Sequence, residues 1–501
     1  MRIVFFILSL KERGGGSHHN VATLIRSLRA RGHDVGVHTM MRSTPPSDIQ
    51  VSAENGEGLS FRALQKLCMD SMRREGRADV FVVYGQALVF AGGMYRIGGG
   101  ATPVLAYLDS HLDAMKEAYR GFSLLHRLKH VVWGKTYGLI LARGVDAYAA
   151  VSPYLAERYA RFGFPKGAFT VISNAFSFGA VQSAARVARP ELRLLYVGRL
   201  SYEKGADILI DALAGIPKGA WRLRIVGEGE ERDMLEKKIG ELGLSQQIEI
   251  LPWMSQEELQ QEYLQADALI LPSRVPEPFG RVVVEAMHAG LPVIVPERGG
   301  ASWVAEGAGV PFANGSAGSL REALVKLQDV ALRQKLGEKA RARAQDFSAG
   351  KVSVELERSL ESLIKESPIN VWPSRIASLL RIVRFLISGG SATAVNLVAL
   401  YVLVDVFGLW YLTSSIIAFF VGFIASFTLQ KFWTFKDHRR DVMGKQLVAY
   451  LLIVLFNLGL NTGLVYMFVE YVHFWPLIAQ ALASLIIAAE GFFAYKIFVF
   501  R

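Results

Sequence analysis

Two regimes of hydrophobic patterning meet near residue 370. Before it, short apolar runs alternate with stretches whose apolar positions recur at helical spacing, the rhythm of an α/β protein built on parallel sheets. Ile3 to Leu8 is the first run. The glycine loop Gly14-Gly15-Gly16-Ser17 follows, then Val21, Leu24, Ile25 and Leu28 trace one face of a helix that Gly32 ends. Val35 to His38, Val80 to Val83, Val104 to Leu108, Ala147 to Val151 and Phe169 to Ile172 predict further strands. The alternation restarts at Leu192 to Val197 and runs through Leu223 to Val226, Ile248 to Leu251, Ala268 to Leu271 and Pro292 to Val295. Two nucleotide-fold units are therefore expected, with residues 176 to 191 as their linker.

Beyond residue 370, charge nearly vanishes in four runs, 385 to 404, 406 to 430, 446 to 469 and 471 to 489, each close to or above the length that crosses a bilayer core. A shift of 65 residues aligns Asn396 with Asn461, Tyr401 with Tyr466, Val404 with Val469, Asp405 with Glu470, Trp410 with Trp475, Phe427 with Phe492, Lys431 with Lys496 and Phe435 with Phe500. Apolar matches alone carry little weight in such biased composition. The polar and aromatic matches at one offset predict two tandem copies of a two-helix hairpin in the same orientation, related by a pseudo-two-fold along the membrane normal.

The 501 residues imply two to four domains, and the formal charge of +11 raises the question of nucleic acid. Its placement answers against it. Arg375, Arg381 and Arg384 precede the first apolar run, Lys431, Lys436, Arg439, Arg440 and Lys445 separate the second from the third, and Lys496 and Arg501 follow the fourth. The turns near Asp405 and near Glu470 to His473 hold no Lys or Arg. The positive-inside rule then puts both termini in the cytoplasm, with anionic lipid as partner of the basic flanks. A single cysteine, Cys68, excludes an intrachain disulfide and reads as a buried thiol. Met1 to Leu10 reads as a strand, with no cleavage site of a signal peptide after it.

The chemistry concentrates in the string from Pro276 to Ile294. Glu277 falls in a loop after an apolar strand, and Glu285 lies about two turns into the helix that Gly280 opens. Amides at that helix start can receive a diphosphate, leaving the two acids for hydroxyl groups. Gly198-Arg199-Leu200-Ser201-Tyr202-Glu203-Lys204-Gly205 sets Arg199 and Lys204 at a strand end, where ligands of open α/β sheets bind; their alternative is surface ion pairing. With no Asp-x-Asp anywhere, fixed cations are expected to stabilise a leaving group in place of a metal. His111 and Asp109 compete for a role at the end of the strand Val104 to Leu108, and His111 reads equally well as a satisfied loop histidine.

The two-glutamate string and the Arg199 and Lys204 spacing resemble the signature of retaining GT-B glycosyltransferases of family 4. The resemblance implies two Rossmann-like domains facing a cleft, an acceptor-side domain over residues 1–180 and a nucleotide-sugar domain over 181–367. It also implies a helix near Ala349 to Lys365 crossing back to the first. Glu285 would accept ribose hydroxyls, Glu277 would face the transferred sugar, and the Phe279 and Gly280 amides would hold the diphosphate. Gly198, Gly227 and Glu228 would flank the nucleotide, Gly15 and Gly16 would touch donor phosphate or acceptor, and His111 would lie near the sugar. The implied reaction is a same-face displacement through an oxocarbenium-like state, without cofactor or metal. One departure stands out: the family usually places a glycine after Asn174, where this chain has Ala175-Phe176-Ser177-Phe178.

Arg384-Phe385-Leu386-Ile387-Ser388-Gly389 and Lys431-Phe432-Trp433-Thr434-Phe435 resemble the GtrA family of four-helix membrane proteins over about residues 378–501. That family is associated with polyprenyl-phosphate-linked sugars and their translocation. A linker and interfacial helix over 368–384, marked by Pro368, Trp372 and Pro373, would lead into a transmembrane domain over 385–501. Lys431 and Lys496 are candidates for lipid headgroups, Asn396 and Asn461 for lipid contact or helix-to-helix bonding. Glu490, opposite Ala425 in the first copy, is either functional or a partner of Lys496. The expected protein is a metal-independent transferase in a bacterial-type inner membrane. It would move sugar from a UDP- or GDP-linked donor to a polyprenyl-phosphate or lipid-linked glycan acceptor on the cytoplasmic face, for cell-envelope glycan synthesis. The alternatives are a transferase whose membrane domain only anchors it, or a lipid-sugar flippase with an accessory transferase. Donor base, sugar, acceptor and oligomeric state are not written in these motifs.

Overall fold

The computed structural model describes residues 1–12, 15–112, 138–178, 191–366, 371–435, 437, 439 and 441–500. Gly14, Pro368, Lys436, Arg440, Arg501, most of the expected linker and the side chains of Arg375 and Arg381 lie outside the described residues. The chain divides into two compact units, Met1–Pro373 and Ser374–Arg501.

In the first unit, β1 (Arg2–Ile7), β2 (Asp34–Thr39), β3 (Ser52–Ala53), β4 (Val80–Tyr84), β5 (Val104–Leu108), β6 (Ala147–Ala150) and β7 (Phe169–Val171) form one sheet, ordered β3-β2-β1-β4-β5-β6-β7. A second sheet, ordered β10-β9-β8-β11-β12-β13, contains β8 (Leu192–Val197), β9 (Trp221–Val226), β10 (Ile248–Leu251), β11 (Ala268–Ile270), β12 (Val293–Pro296) and β13 (Gly309–Phe312). All pairings are parallel. β4 and β5 are buried along their whole length, which is why they read as unbroken apolar runs. Two strands escaped the sequence pattern. β3 is only two exposed residues, and β13 is an edge strand interrupted by Pro311, which such a position tolerates. Strand order reverses between β1 and β4 and again between β8 and β11, so the loops after those strands diverge and leave a crevice.

The helix Ala349–Glu366 packs on the helix Gly16–Ala30, as the resemblance implies: the Ser27 hydroxyl donates to Ser353 Oγ at 2.8 Å, and Glu357 receives Arg31 and His33. The residues standing where a glycine is usual have a packing role. Phe176 exchanges backbone hydrogen bonds with Phe347 (3.0 Å) and Ala349 (2.8 Å), and Phe178 stacks on His288 at 4.0 Å. Cys68 is buried, and burial pushes its thiol up, away from reactivity.

Among its described residues, the second unit contains four helices long and apolar enough to cross a membrane, Val383–Val406, Tyr411–Thr434, Met443–Glu470 and Leu482–Val499. Its backbone repeats at the offset read from the side chains. Widened-turn hydrogen bonds join Phe407 to Val402 (3.0 Å) and Val472 to Met467 (3.3 Å), Leu409 to Leu403 (3.0 Å) and Phe474 to Phe468 (2.9 Å), and Phe435 to Gln430 and Phe500 to Tyr495 (both 2.9 Å). Gly408 has φ +65° and its counterpart His473 has φ +58°, although only glycine adopts that region without strain. A repeated turn, not shared apolar composition, accounts for the match.

Candidate functional site

A cavity of about 600 Å³ opens at the crevice of the first unit. Gly16, Ser17, Asp109, Ser110 and Asn174 line it from the first half of that unit. Gly198, Arg199, Lys204, Glu228, Trp253 and the segment Glu277 to Val282 line it from the second. A cavity of similar size, about 610 Å³, lies at the amino ends of β8, β9 and β10, away from where open sheets bind ligands.

Lys204 and Glu277 come from different loops and meet there. Lys204 ends the turn Tyr202–Lys204, followed by Gly205 at φ +69°; a Cβ at Gly205 would come within 2.3 Å of the Pro272 carbonyl, so only glycine lets the two loops touch. Arg274 ties the loops together by pairing with Asp207 and donating to the Tyr202 carbonyl at 2.6 Å. Lys204 Nζ then lies 2.6 Å from Glu277 Oε1, which also accepts from Ser273 Oγ at 2.8 Å. Burial pushes the Glu277 carboxyl up, but the ammonium and hydroxyl outweigh it and hold the acid below its ordinary range.

The Glu277 loop is pinned at three successive carbonyls. His111 Nε2 bonds the Pro276 oxygen (2.9 Å), Gly300 N–H bonds that of Glu277 (2.7 Å), and Ser152 Oγ bonds that of Pro278 (2.5 Å). His111 thus steadies the loop, while Asp109 and Ser110 form the cavity wall at that strand end. Asp109 is buried, with one oxygen lacking a hydrogen-bond partner among the described residues. Burial raises its carboxyl despite the hydroxyls of Ser17, Tyr84 and Ser110. Asn174 is held by the peptide that follows it, where Ala175 N–H donates to buried Asn20 at 2.7 Å.

Gly280, at φ +99°, caps the helix Arg281–His288, whose first two residues line the cavity, and amides at a helix start lack intrahelical acceptors. Glu285 is the fifth residue of that helix, a little over one turn in rather than two. It accepts from the Tyr263 hydroxyl at 3.0 Å and stands 3.9 Å from Arg281. Burial raises its carboxyl, only partly offset by Arg281 and Tyr263. Gly16, Gly198, Arg199, Lys204, Glu228, Glu277, Phe279 and Gly280 are brought together on the cavity wall, and Gly15, Gly227, His111 and Glu285 are not among its residues. Gly227 serves its neighbour, because a Cβ there would fall 1.9 Å from the Gly198 carbonyl. Arg199 is exposed, and its carbonyl accepts from Tyr196 at 2.8 Å. Sequence reasoning missed Trp253 and Arg281 on this wall, although Arg281 follows Gly280 inside the motif that drew attention.

In the second unit, the ammonium expected at the interface on Lys431 is turned inward. Lys431 is fully buried, donating to Gln446 Oε1 at 2.5 Å with Asp437 3.8 Å away. Gln446 in turn donates to Asp437 (2.7 Å) and to the Val499 carbonyl (3.0 Å). Desolvation forces this: a fully buried ammonium needs an internal acceptor. Its counterpart Lys496 is exposed. Asn396 packs against Gly422, where a Cβ would come within 2.9 Å of its own Cβ, and Asn461 is half-buried and partnered. Glu490 Oε2 and Asn457 Oδ1 are buried without a hydrogen-bond partner among the described residues.

Residues 14–177 match the family described as Glycosyltransferase Family 4, residues 183–343 that of glycosyl transferases group 1, and residues 384–500 the transmembrane domain of GtrA/DPMS. An uncharacterised glycosyltransferase of Methanocaldococcus jannaschii is 41% identical over 111 residues, 22% of this chain and 28% of that protein. The lipopolysaccharide core biosynthesis glycosyltransferase LpsE of Rhizobium meliloti is 32% identical over 165 residues, 32% of this chain and 47% of that one. The chain thus spans less than half the length of these curated relatives. Among solved structures, HepE of Anabaena in complex with UDP superposes with TM-score 0.58 at 21% identity, over 72% of this chain and all of that one. The lipopolysaccharide outer core galactosyltransferase WaaB does so with TM-score 0.59 at 19%, over 72% and 99%. These likenesses show the GT-B fold.

Proposed function

We propose that this chain, whose residues 14–343 belong to the group 1, family 4 glycosyltransferases and whose residues 384–500 belong to the GtrA/DPMS transmembrane domains, transfers a sugar with retention from a nucleotide sugar to a lipid-linked acceptor at the cytoplasmic face of a membrane. The observation that carries this reading is the 2.6 Å contact between Lys204 and Glu277 inside a cavity that also holds the free amides of a helix start. Lys204 and Arg199 neutralise the departing diphosphate, and the Phe279 and Gly280 amides receive its oxygens. Glu277 hydrogen-bonds the transferred sugar, and Glu285 takes the ribose hydroxyls. The leaving phosphate accepts the acceptor proton as the new glycosidic bond forms on the face the diphosphate left. No metal is required, because fixed cations supply the charge.

HepE and the galactosyltransferase WaaB support a sugar-transferring fold, and the HepE complex with UDP supports a nucleotide-linked donor. A lipid-linked acceptor is supported by the joined membrane domain. A second reading, translocation of the lipid-linked product, is favoured by the unsatisfied Glu490 and Asn457 oxygens, which an inert anchor does not need.

Purified full-length protein in nanodiscs, given UDP- and GDP-sugars with polyprenyl phosphate or a polyprenyl-linked glycan, should yield a glycosylated lipid detectable by mass spectrometry. The anomeric configuration should be retained and the yield unchanged by EDTA. An inverted product, or activity lost to chelation and restored by Mg²⁺ or Mn²⁺, would overturn the mechanism. Transfer only to water-soluble acceptors would overturn the lipid assignment.

A further inference from the structure

Arg281 is the first residue of the helix Arg281–His288, yet its side chain leaves that helix for the other half of the unit. Its guanidinium carbon sits 4.2 Å from the centre of the Phe176 ring, and a Cβ built on Gly16 would fall 2.3 Å from its Cδ. It lines the cavity beside Gly280 and Val282.

The charge of Arg281 is poorly answered. The nearest carboxylate oxygen, on Glu285, is 3.9 Å away, beyond hydrogen-bonding distance, and Glu285 already accepts from Tyr263. Glu277 is engaged by Lys204 and Ser273. Arg281 Nη1 is buried without a hydrogen-bond partner among the described residues. The face of Phe176 offers some compensation, but a ring accepts no hydrogen bonds in the guanidinium plane. A partly buried guanidinium on a cavity wall, with one donor that no described residue answers, suits an anion.

We propose that Arg281 is a third cation of the diphosphate subsite, holding the nucleotide-sugar diphosphate from the Gly16 side of the cavity while Arg199 and Lys204 hold it from their own loop. This rests on the transferase reading above and adds to it a residue and a reason for Gly16. The fork of a guanidinium matches two phosphate oxygens, and the adjacent helix amides supply further donors to the same group. Gly16 is then required for room, since any side chain there would displace the Arg281 stem and couple a change in one sheet to anion binding at the other.

The test is calorimetric titration of the full-length protein in nanodiscs with UDP and GDP, and with uridine and guanosine. Arg281→Met is expected to weaken the diphosphate that the wild type binds by about 10- to 100-fold while leaving its nucleoside unchanged. Gly16→Ala should weaken it less, with no further loss in the double variant, and Arg281→Lys should recover part of the affinity. Equal losses for nucleoside and diphosphate in Arg281→Met and Arg281→Lys would show a role through Glu285 or the fold and overturn the proposal, as would no loss at all. A wild type that binds neither diphosphate would overturn the transferase reading beneath it.

Discussion

Two lysines at the carboxyl ends of regular elements have opposite fates. Lys204, in the crevice of the first unit, is one-third exposed and shares Glu277 with an open cavity. Lys431, after the second apolar helix, is fully buried with Gln446 as its internal acceptor and Asp437 3.8 Å away. Both form short contacts with acceptors, so the contacts alone do not separate them. What separates them is access. A cation that keeps one face to a cavity can exchange its protein partner for a ligand at little cost, whereas a sealed one must keep its partner or pay the full desolvation penalty. The first arrangement suits chemistry and the second suits architecture.

Lys204→Ala should break this comparison most visibly. Its turnover is expected to fall by about two to three orders of magnitude, the effect of losing one preorganised leaving-group stabiliser, while the thermal midpoint of the first unit moves little. Lys431→Ala should do the reverse, lowering the stability of the membrane unit by about 1–3 kcal/mol because Gln446 loses a buried donor and Asp437 a nearby cation. Nucleotide affinity in the first unit should hold. A thermal melt followed beside a nucleotide titration separates the two, and an active, unstable Lys204→Ala would contradict the division.

A smaller contrast lies between the paired acids. Glu277→Ala should mainly reduce turnover and Glu285→Ala mainly weaken the donor, as steady-state kinetics on both variants can read; indistinguishable profiles would remove the distinction. Their protonation sharpens it. Glu285 is raised above 4.5 by burial and Glu277 is lowered, so Glu285 protonates first as pH falls. A protonated Glu285 accepts poorly from ribose hydroxyls. Donor affinity should therefore weaken as pH falls through the acidic range above the ordinary carboxylate value, and Glu285→Gln should flatten that dependence. The smallest effect is expected for Lys496→Ala, which should leave stability within about 0.5 kcal/mol, as for an exposed charge. Impaired use of a polyprenyl-phosphate acceptor would mark Lys496 as the lipid-facing member of the repeated pair, and unchanged use would not.

Much of this was legible from the chain. Eleven strand-like runs came forward because a buried parallel strand is nearly all apolar. The hairpin duplication did so because a repeated turn keeps its Trp410 and Trp475 at one offset. Glu277, Lys204 and Gly280 stood out because strand ends and helix starts leave local signatures. The fate of Lys431 did not, since burial of a charge depends on Gln446 and Asp437, which no periodicity links to it.

By itself the sequence determined which segments become strands, helices and apolar spans, because those follow from periodicity, turn residues and local backbone freedom. It also determined the chemical types available at the strand ends. Only the tertiary structure decided which of them share a cavity. His111, Ser152 and Gly300 pin three successive carbonyls of the Glu277 loop from distant parts of the chain. Arg281 reaches Gly16 across the crevice, and Glu285 is not among the residues of the cavity wall. The physical reason is that burial, desolvation and close approach are properties of neighbours in space, and a chain folded into two sheets brings together residues whose separation in sequence carries no signal of their contact.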